Sequence, residues 1–146
     1  CRDAQHQSEE FVSNPKIRHL AIIARDTAAV ARYYEKVFDM KVVHTSAGGE
    51  NYFLSDGYLT LAILKHRLEA TVPVGLNHFG FAVEDSDEIA RRIKEFGLEE
   101  PKKRPADRPY AESRACDPEG NFFDISQHGF EMVETEADRA KQKERA

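Results

Sequence analysis

Cysteine is scarce in this chain. The 146 residues hold only Cys1 and Cys116, at opposite ends, and two cysteines so placed make no disulfide framework. A reducing, cytoplasmic setting is the expectation from that usage. Long hydrophobic runs are missing too: none approaches the roughly 20 residues that a helix needs to cross a bilayer, so no membrane insertion is expected. Positive charge is in deficit, with 21 Lys and Arg against 26 Asp and Glu and a formal net charge of -5. Phosphate backbones are held by clustered Lys and Arg, so no nucleic-acid partner is expected. The one basic run, Lys102-Lys103-Arg104, reads as a solvated loop. What remains is a composition 40% hydrophobic and 32% charged. That is enough for one ordinary domain, or two half-domains sharing a core, to fold without a metal or disulfide staple.

The chain contains the same unit twice. Ile17-Arg18-His19-Leu20-Ala21-Ile22-Ile23-Ala24 and Leu76-Asn77-His78-Phe79-Gly80-Phe81-Ala82-Val83 are apolar runs of strand character with a His at the third position. An offset of 59 residues also superposes Asp26 on Asp85, Thr27 on Ser86, Val30 on Ile89, Ala31 on Ala90 and Arg32 on Arg91. Each strand is thus followed by Asp-Thr or Asp-Ser, whose side-chain oxygens can accept the unpaired N–H groups of a helix start. Val30, Tyr33, Val37 and Phe38 recur at helical spacing in the first unit, as do Ile89, Ile93 and Phe96 in the second, giving each helix an apolar face for a sheet. The second helix is predicted to stop at Gly97, free to adopt the left-handed conformation; Asp39 stands at the matching place in the first and tolerates it less well.

Further strands follow each helix. In the first unit they are Lys41 to Thr45, Asn51 to Leu54 and Leu59 to Leu64, separated by Gly48-Gly49 and Ser55-Asp56-Gly57 turns. In the second they are a weak strand near Leu98 to Lys102, then Ala111 to Cys116, the Asp117-Pro118-Glu119-Gly120 turn, and Phe122 to Gln127. The fold class is α+β: two βαβββ modules in tandem, 15–66 and 76–130, joined by a linker at 67–75 and flanked by polar tails at 1–14 and 131–146.

Side chains alternate across a strand, so Ile17, His19, Ala21 and Ile23 share one face and Leu20 and Ile22 the other. Phe122, Asp124 and Ser126 likewise share a face. With helices covering one side of the sheet, the opposite side lines a cleft, and an approximate two-fold axis between the units would bring His19 and His78 together. A single His on an apolar strand is ordinarily a hydrogen-bonded core residue. Two at matched positions, with a lone carboxylate in an apolar strand, point to a bound cation, because a buried carboxylate is costly unless paired or coordinated.

These residues resemble the vicinal oxygen chelate superfamily, which includes glyoxalase I, methylmalonyl-CoA epimerase, fosfomycin-resistance transferases, extradiol dioxygenases and metal-free bleomycin-binding proteins. The similarity spans about Lys16 to His128. It is carried by the His19 strand, the helix segment from Ala31 to Met40, the His78 strand and Asp117-Pro118-Glu119-Gly120-Asn121. The resemblance implies curled mixed sheets around a central cleft holding one divalent ion (Fe, Mn, Ni, Zn or Co), with His19, His78 and Asp124 as ligands. Asp124 stands where the family usually has Glu. The further acidic ligand of glyoxalase I, on the last strand of module one, has no counterpart in Leu59-Thr60-Leu61-Ala62-Ile63-Leu64.

Two His and one carboxylate leave coordination positions open, as in oxygen-activating iron sites, and can hold two neighbouring substrate oxygens. The expected function is therefore a metal-dependent enzyme acting on a small molecule with vicinal oxygens, by glyoxalase-like lyase or isomerase chemistry or by Fe(II) ring cleavage. Tyr52, His66, Tyr110 and Glu112 are the candidates for acid or base catalysis, against a plainer reading as strand or loop residues. The alternative is a metal-free small-molecule binding protein of the bleomycin-resistance type, in which the two His are hydrogen-bonded cleft residues. The resemblance also implies a homodimer.

Overall fold

The computed structural model describes residues 14–69, 71–105 and 111–128. Most of both expected tails, and Tyr110, lie outside the described residues. The first module comprises β1 (Lys16–Ala24), α1 (Thr27–Phe38), β2 (Lys41–Thr45), β3 (Tyr52–Ser55) and β4 (Thr60–Lys65). The second comprises β5 (Gly75–Ala82), α2 (Ser86–Glu95), β6 (Lys102–Lys103), β7 (Ser113–Cys116) and β8 (Phe122–Ser126). The βαβββ order expected from the repeat is present in both.

All eight strands form one sheet in the order β2-β3-β4-β1-β5-β8-β7-β6. Each module's opening strand lies parallel to its own closing strand, β1 beside β4 and β5 beside β8, and the modules join where β1 and β5 run antiparallel. Two register shifts interrupt that central pairing, between Ile17 and His19 and between Ala21 and Ile22. The sheet does not close, so β2 and β6 are its edges.

The two faces differ in chemistry. Leu20 and Ile22 pack with Leu54, Leu61, Ile63, Val30, Ala31 and Tyr34 beneath α1. Phe81 and Phe123 pack with Val83, Ala115, Ile125, Ile89 and Ile93 beneath α2. Leu20 is paired directly with Phe79, whose ring meets Phe81 and Phe123, so both helices lie on one side. The opposite side carries His19, Ala21, Phe53, Ala62, His78 and Asp124.

The helix starts follow the sequence. Asp26 Oδ1 accepts from Ala29 N at 3.0 Å, and Asp85 Oδ1 accepts from Asp87 N and Glu88 N at 3.0 and 3.1 Å. The stops also follow: Asp39 is left-handed at φ 54°, and Gly97 has φ 95°.

Other expectations need correction. Tyr33, Val37 and Phe38 do not lie on the sheet; each is more than half exposed, and the small Ala31 with Val30 and Tyr34 makes the contact instead. Phe96 is likewise exposed. The strand expected near Leu98 to Lys102 shrinks to Lys102–Lys103, because Leu98 N is engaged by Ile93 O at the helix end and Pro101 has no N–H to give. β4 begins one residue late because Leu59 N donates to Asp56 Oδ1, in the preceding turn. The basic run is not merely a solvated loop: Lys102 and Lys103 pair with Arg114 and Ser113, and Arg104 reaches Asp124.

Candidate metal centre

His19 and His78 come from the two strands at the module seam. The pairing sets Ala21 opposite His78 and His19 opposite Gly80, so the imidazoles sit diagonally on the same side. Their ring centroids are 5.4 Å apart. Asp124 lies on β8 opposite Gly80, next to β5, and is buried, as are both histidines. One ligand atom from each of His19, His78 and Asp124 can be chosen so that all three lie within 4.8 Å of one another.

Hydrogen bonding turns these atoms toward a common point. His78 Nδ1 faces Asn77 Oδ1 at 2.7 Å, an acceptor, so Nδ1 carries the proton. Nε2 then faces Asp124 Oδ2 at 3.2 Å. Two lone-pair atoms that close need a cation between them, either a proton or a metal ion. Two donors at about 2.1 Å from one ion lie roughly 3 to 4.2 Å apart, so this pair already has the spacing of adjacent ligands. Burial, then the nearby His78, push the His19 pKa down to about 4, against the pull of Asp124. A neutral imidazole keeps a lone pair to offer. The donor set of two nitrogens and one oxygen therefore fits a borderline divalent cation.

Asp124 has two further partners, which sequence reasoning missed. Arg114 Nε donates to Oδ1 at 2.7 Å, and Arg104 Nη1 donates to Oδ2 at 3.3 Å. Burial alone would raise the Asp124 pKa, but the His78 and Arg114 hydrogen bonds overcome it and hold the carboxyl at about 2. Arg114 also lies over the Phe122 ring, 4.6 Å from its centroid, and that ring is 5.2 Å from the His78 ring. The signal for Arg114 was available. The turn at Asp117-Pro118-Glu119-Gly120 sets Cys116 opposite Phe122, and counting back two residues sets Arg114 opposite Asp124. Arg104 had no such signal, because it follows the short strand that the sequence misplaced.

The described acid–base candidates, Tyr52, His66 and Glu112, are not gathered at this point. Tyr52 packs with Leu54 and Ile63 beneath α1, on the other face of the sheet. His66 lies six residues beyond Thr60, the residue level with His19, or about 20 Å along the strand direction. Glu112 shares the cleft side of β7 but uses both oxygens at the end of β8, accepting from Gln127 N at 3.0 Å and His128 N at 3.1 Å. Tyr110 lies outside the described residues. On β4 the position level with His19 is held by the buried Thr60, a hydroxyl and not a carboxylate.

Paired βαβββ modules with a His, His and carboxylate group at the seam define a fold class with a candidate metal centre. Residues 16–139 match the model of the Glyoxalase/Bleomycin resistance protein/Dioxygenase superfamily, and the chain belongs to that superfamily. No curated protein matches it. Among solved structures, a hypothetical protein from Bacillus halodurans C-125 is similar at 18% identity and TM-score 0.57, over 77% of this chain and 94% of that one. Methylmalonyl-CoA epimerase in complex with methylmalonyl-CoA is 21% identical with TM-score 0.56, over 80% and 98%. The epimerase from Mycobacterium tuberculosis is 16% identical with TM-score 0.56, over 83% and 91%. At these identities the likeness is one of fold. Among the described residues no helix is long and apolar enough to cross a membrane.

Proposed function

We propose that this protein is a divalent-metal-dependent enzyme acting on a small molecule through two adjacent oxygens, with His19, His78 and Asp124 as the metal ligands. The observation that carries the reading is the convergence of three buried donor atoms within 4.8 Å, two of them, His78 Nε2 and Asp124 Oδ2, only 3.2 Å apart. The ion would supply Lewis acidity, holding the substrate oxygens and the negative charge that develops on them. The chain does the rest. Asn77 fixes the tautomer of His78, burial keeps His19 neutral, and Arg104 and Arg114 anchor Asp124.

Elemental analysis tests this directly. Wild-type protein should carry about one divalent ion per chain, and His19→Ala and Asp124→Ala should each lose most of it. Iron with oxygen uptake on catechols would assign ring cleavage; nickel, zinc or manganese without oxygen uptake would assign lyase or isomerase chemistry. A second reading is favoured by the two arginines on Asp124: a metal-free binding cleft in which guanidinium groups balance the carboxylate. Wild type that takes up no metal even on reconstitution would establish it. The exposed Tyr33, Val37 and Phe38 side chains on α1 support a homodimer, which light scattering would report.

A further inference from the structure

We propose that the cleft is built for an anionic substrate and that Arg114 is the side chain that takes its carboxylate. The inference deepens the proposed function, but its central contact does not need the metal.

Charge carries the first part of the argument. Arg114 donates to Asp124 through Nε, and it shares that carboxylate with Arg104. A guanidinium whose counter-ion is shared favours a ligand that brings negative charge over a neutral one, because charge-assisted hydrogen bonds are the stronger ones.

Geometry carries the second part. Arg114 is held at two places, by its Nε bond to Asp124 and by the Phe122 ring beneath it. Those contacts fix the guanidinium plane and use one of its five N–H groups. Among the described residues no hydrogen-bond partner meets Nη1 or Nη2. The side chain is one-third exposed, whereas that of Arg104 is 16% exposed. A planar, fixed fork with two N–H groups to give is the shape that grips a carboxylate bidentately. Phe122 lies against both this guanidinium and the His78 ring, so a ligand held at the triad would extend a carboxylate along that ring to the fork.

The test uses malate and its 4-monoamide, which share the 2-hydroxy acid portion and differ by one charge at the far end. Binding is measured by calorimetry at low ionic strength, on metal-free and Mn2+-loaded protein, and Mn2+ uptake is counted separately by electron paramagnetic resonance. Wild type should prefer malate over the monoamide by about tenfold or more, the size of a charge-assisted hydrogen-bond pair. R114Q, which also loosens Asp124, should lose that preference both in metal-free protein and per Mn2+-loaded chain, and R114K, which keeps the charge without the fork, should recover only part of it. Should R114Q fail to fold by circular dichroism, R114K alone decides: a full preference there overturns the fork assignment. An undiminished preference in R114Q, or none in wild type, overturns the inference and leaves the metal reading intact. Wild type that binds no Mn2+ yet prefers malate through Arg114 supports the inference and excludes manganese from the metal reading. Inorganic phosphate displacing malate at equal or lower concentration overturns the choice of carboxylate.

Discussion

Arg114 stands directly across the β7–β8 ladder from Asp124, with Nε 2.7 Å from Oδ1. The carboxylate that sequence reasoning assigned to a cation is therefore already bound by one cationic side chain and approached by another. Removing its charge should hurt the fold as well as the site. Asp124→Asn should cost about 2–4 kcal/mol in urea unfolding, toward the low side of values for broken buried pairs because Arg114 is partly hydrated.

The helix caps should be measurable separately from the site. Asp85 accepts two backbone N–H groups at the start of α2, whereas Asp26 accepts one at the start of α1. Each Asp→Ala change should cost roughly 1 kcal/mol by chemical denaturation, with Asp85→Ala the larger. Metal content should not change in either variant.

The two helix stops predict effects of opposite sign. Asp39 holds a left-handed conformation at φ 54° without being Gly, so Asp39→Gly should raise stability by up to about 1 kcal/mol. Gly97 is at φ 95°, and Gly97→Ala should lower stability by about 1 kcal/mol or more. Thermal melts of the pair against wild type would check both.

Glu112 should shape the acid limb of the stability curve. Burial works to raise its pKa, but the Ser126 hydroxyl and the N–H groups of Gln127 and His128 prevail and hold it below the ordinary 4.5. A carboxyl depressed in the folded state contributes stability above its unfolded pKa and loses it as pH falls through the folded value. Glu112→Gln should therefore be less stable than wild type at neutral pH and should lose less on acidification below 4.5. Urea midpoints measured from neutral pH down through that range would show the curves converging.

Much of this architecture was legible in the sequence because it was written twice. The offset that aligns His19 with His78 also aligns Asp26 with Asp85, and the structure uses both pairs alike, as cleft imidazoles and as helix caps. Asp124 was visible because a carboxylate in an apolar strand is expensive to bury. Less legible were features set by packing. The stripe of Tyr33, Val37 and Phe38 has the right spacing but loses the sheet to Ala31, whose small side chain lets Val30 and Tyr34 approach. Arg104 was hidden because its place depends on a two-residue edge strand, and neither composition nor periodicity specifies so short an element.

The antiparallel seam between β1 and β5 has a further implication for how this protein comes to exist at all. Since one imidazole belongs to each side of that seam, a severed half would own an incomplete ligand set and would leave its opening strand bare along one edge. The connecting segment between Lys65 and Gly75 then serves as a tether, raising the local concentration of one half around the other. Two separately synthesised halves would have to find each other before the centre could form.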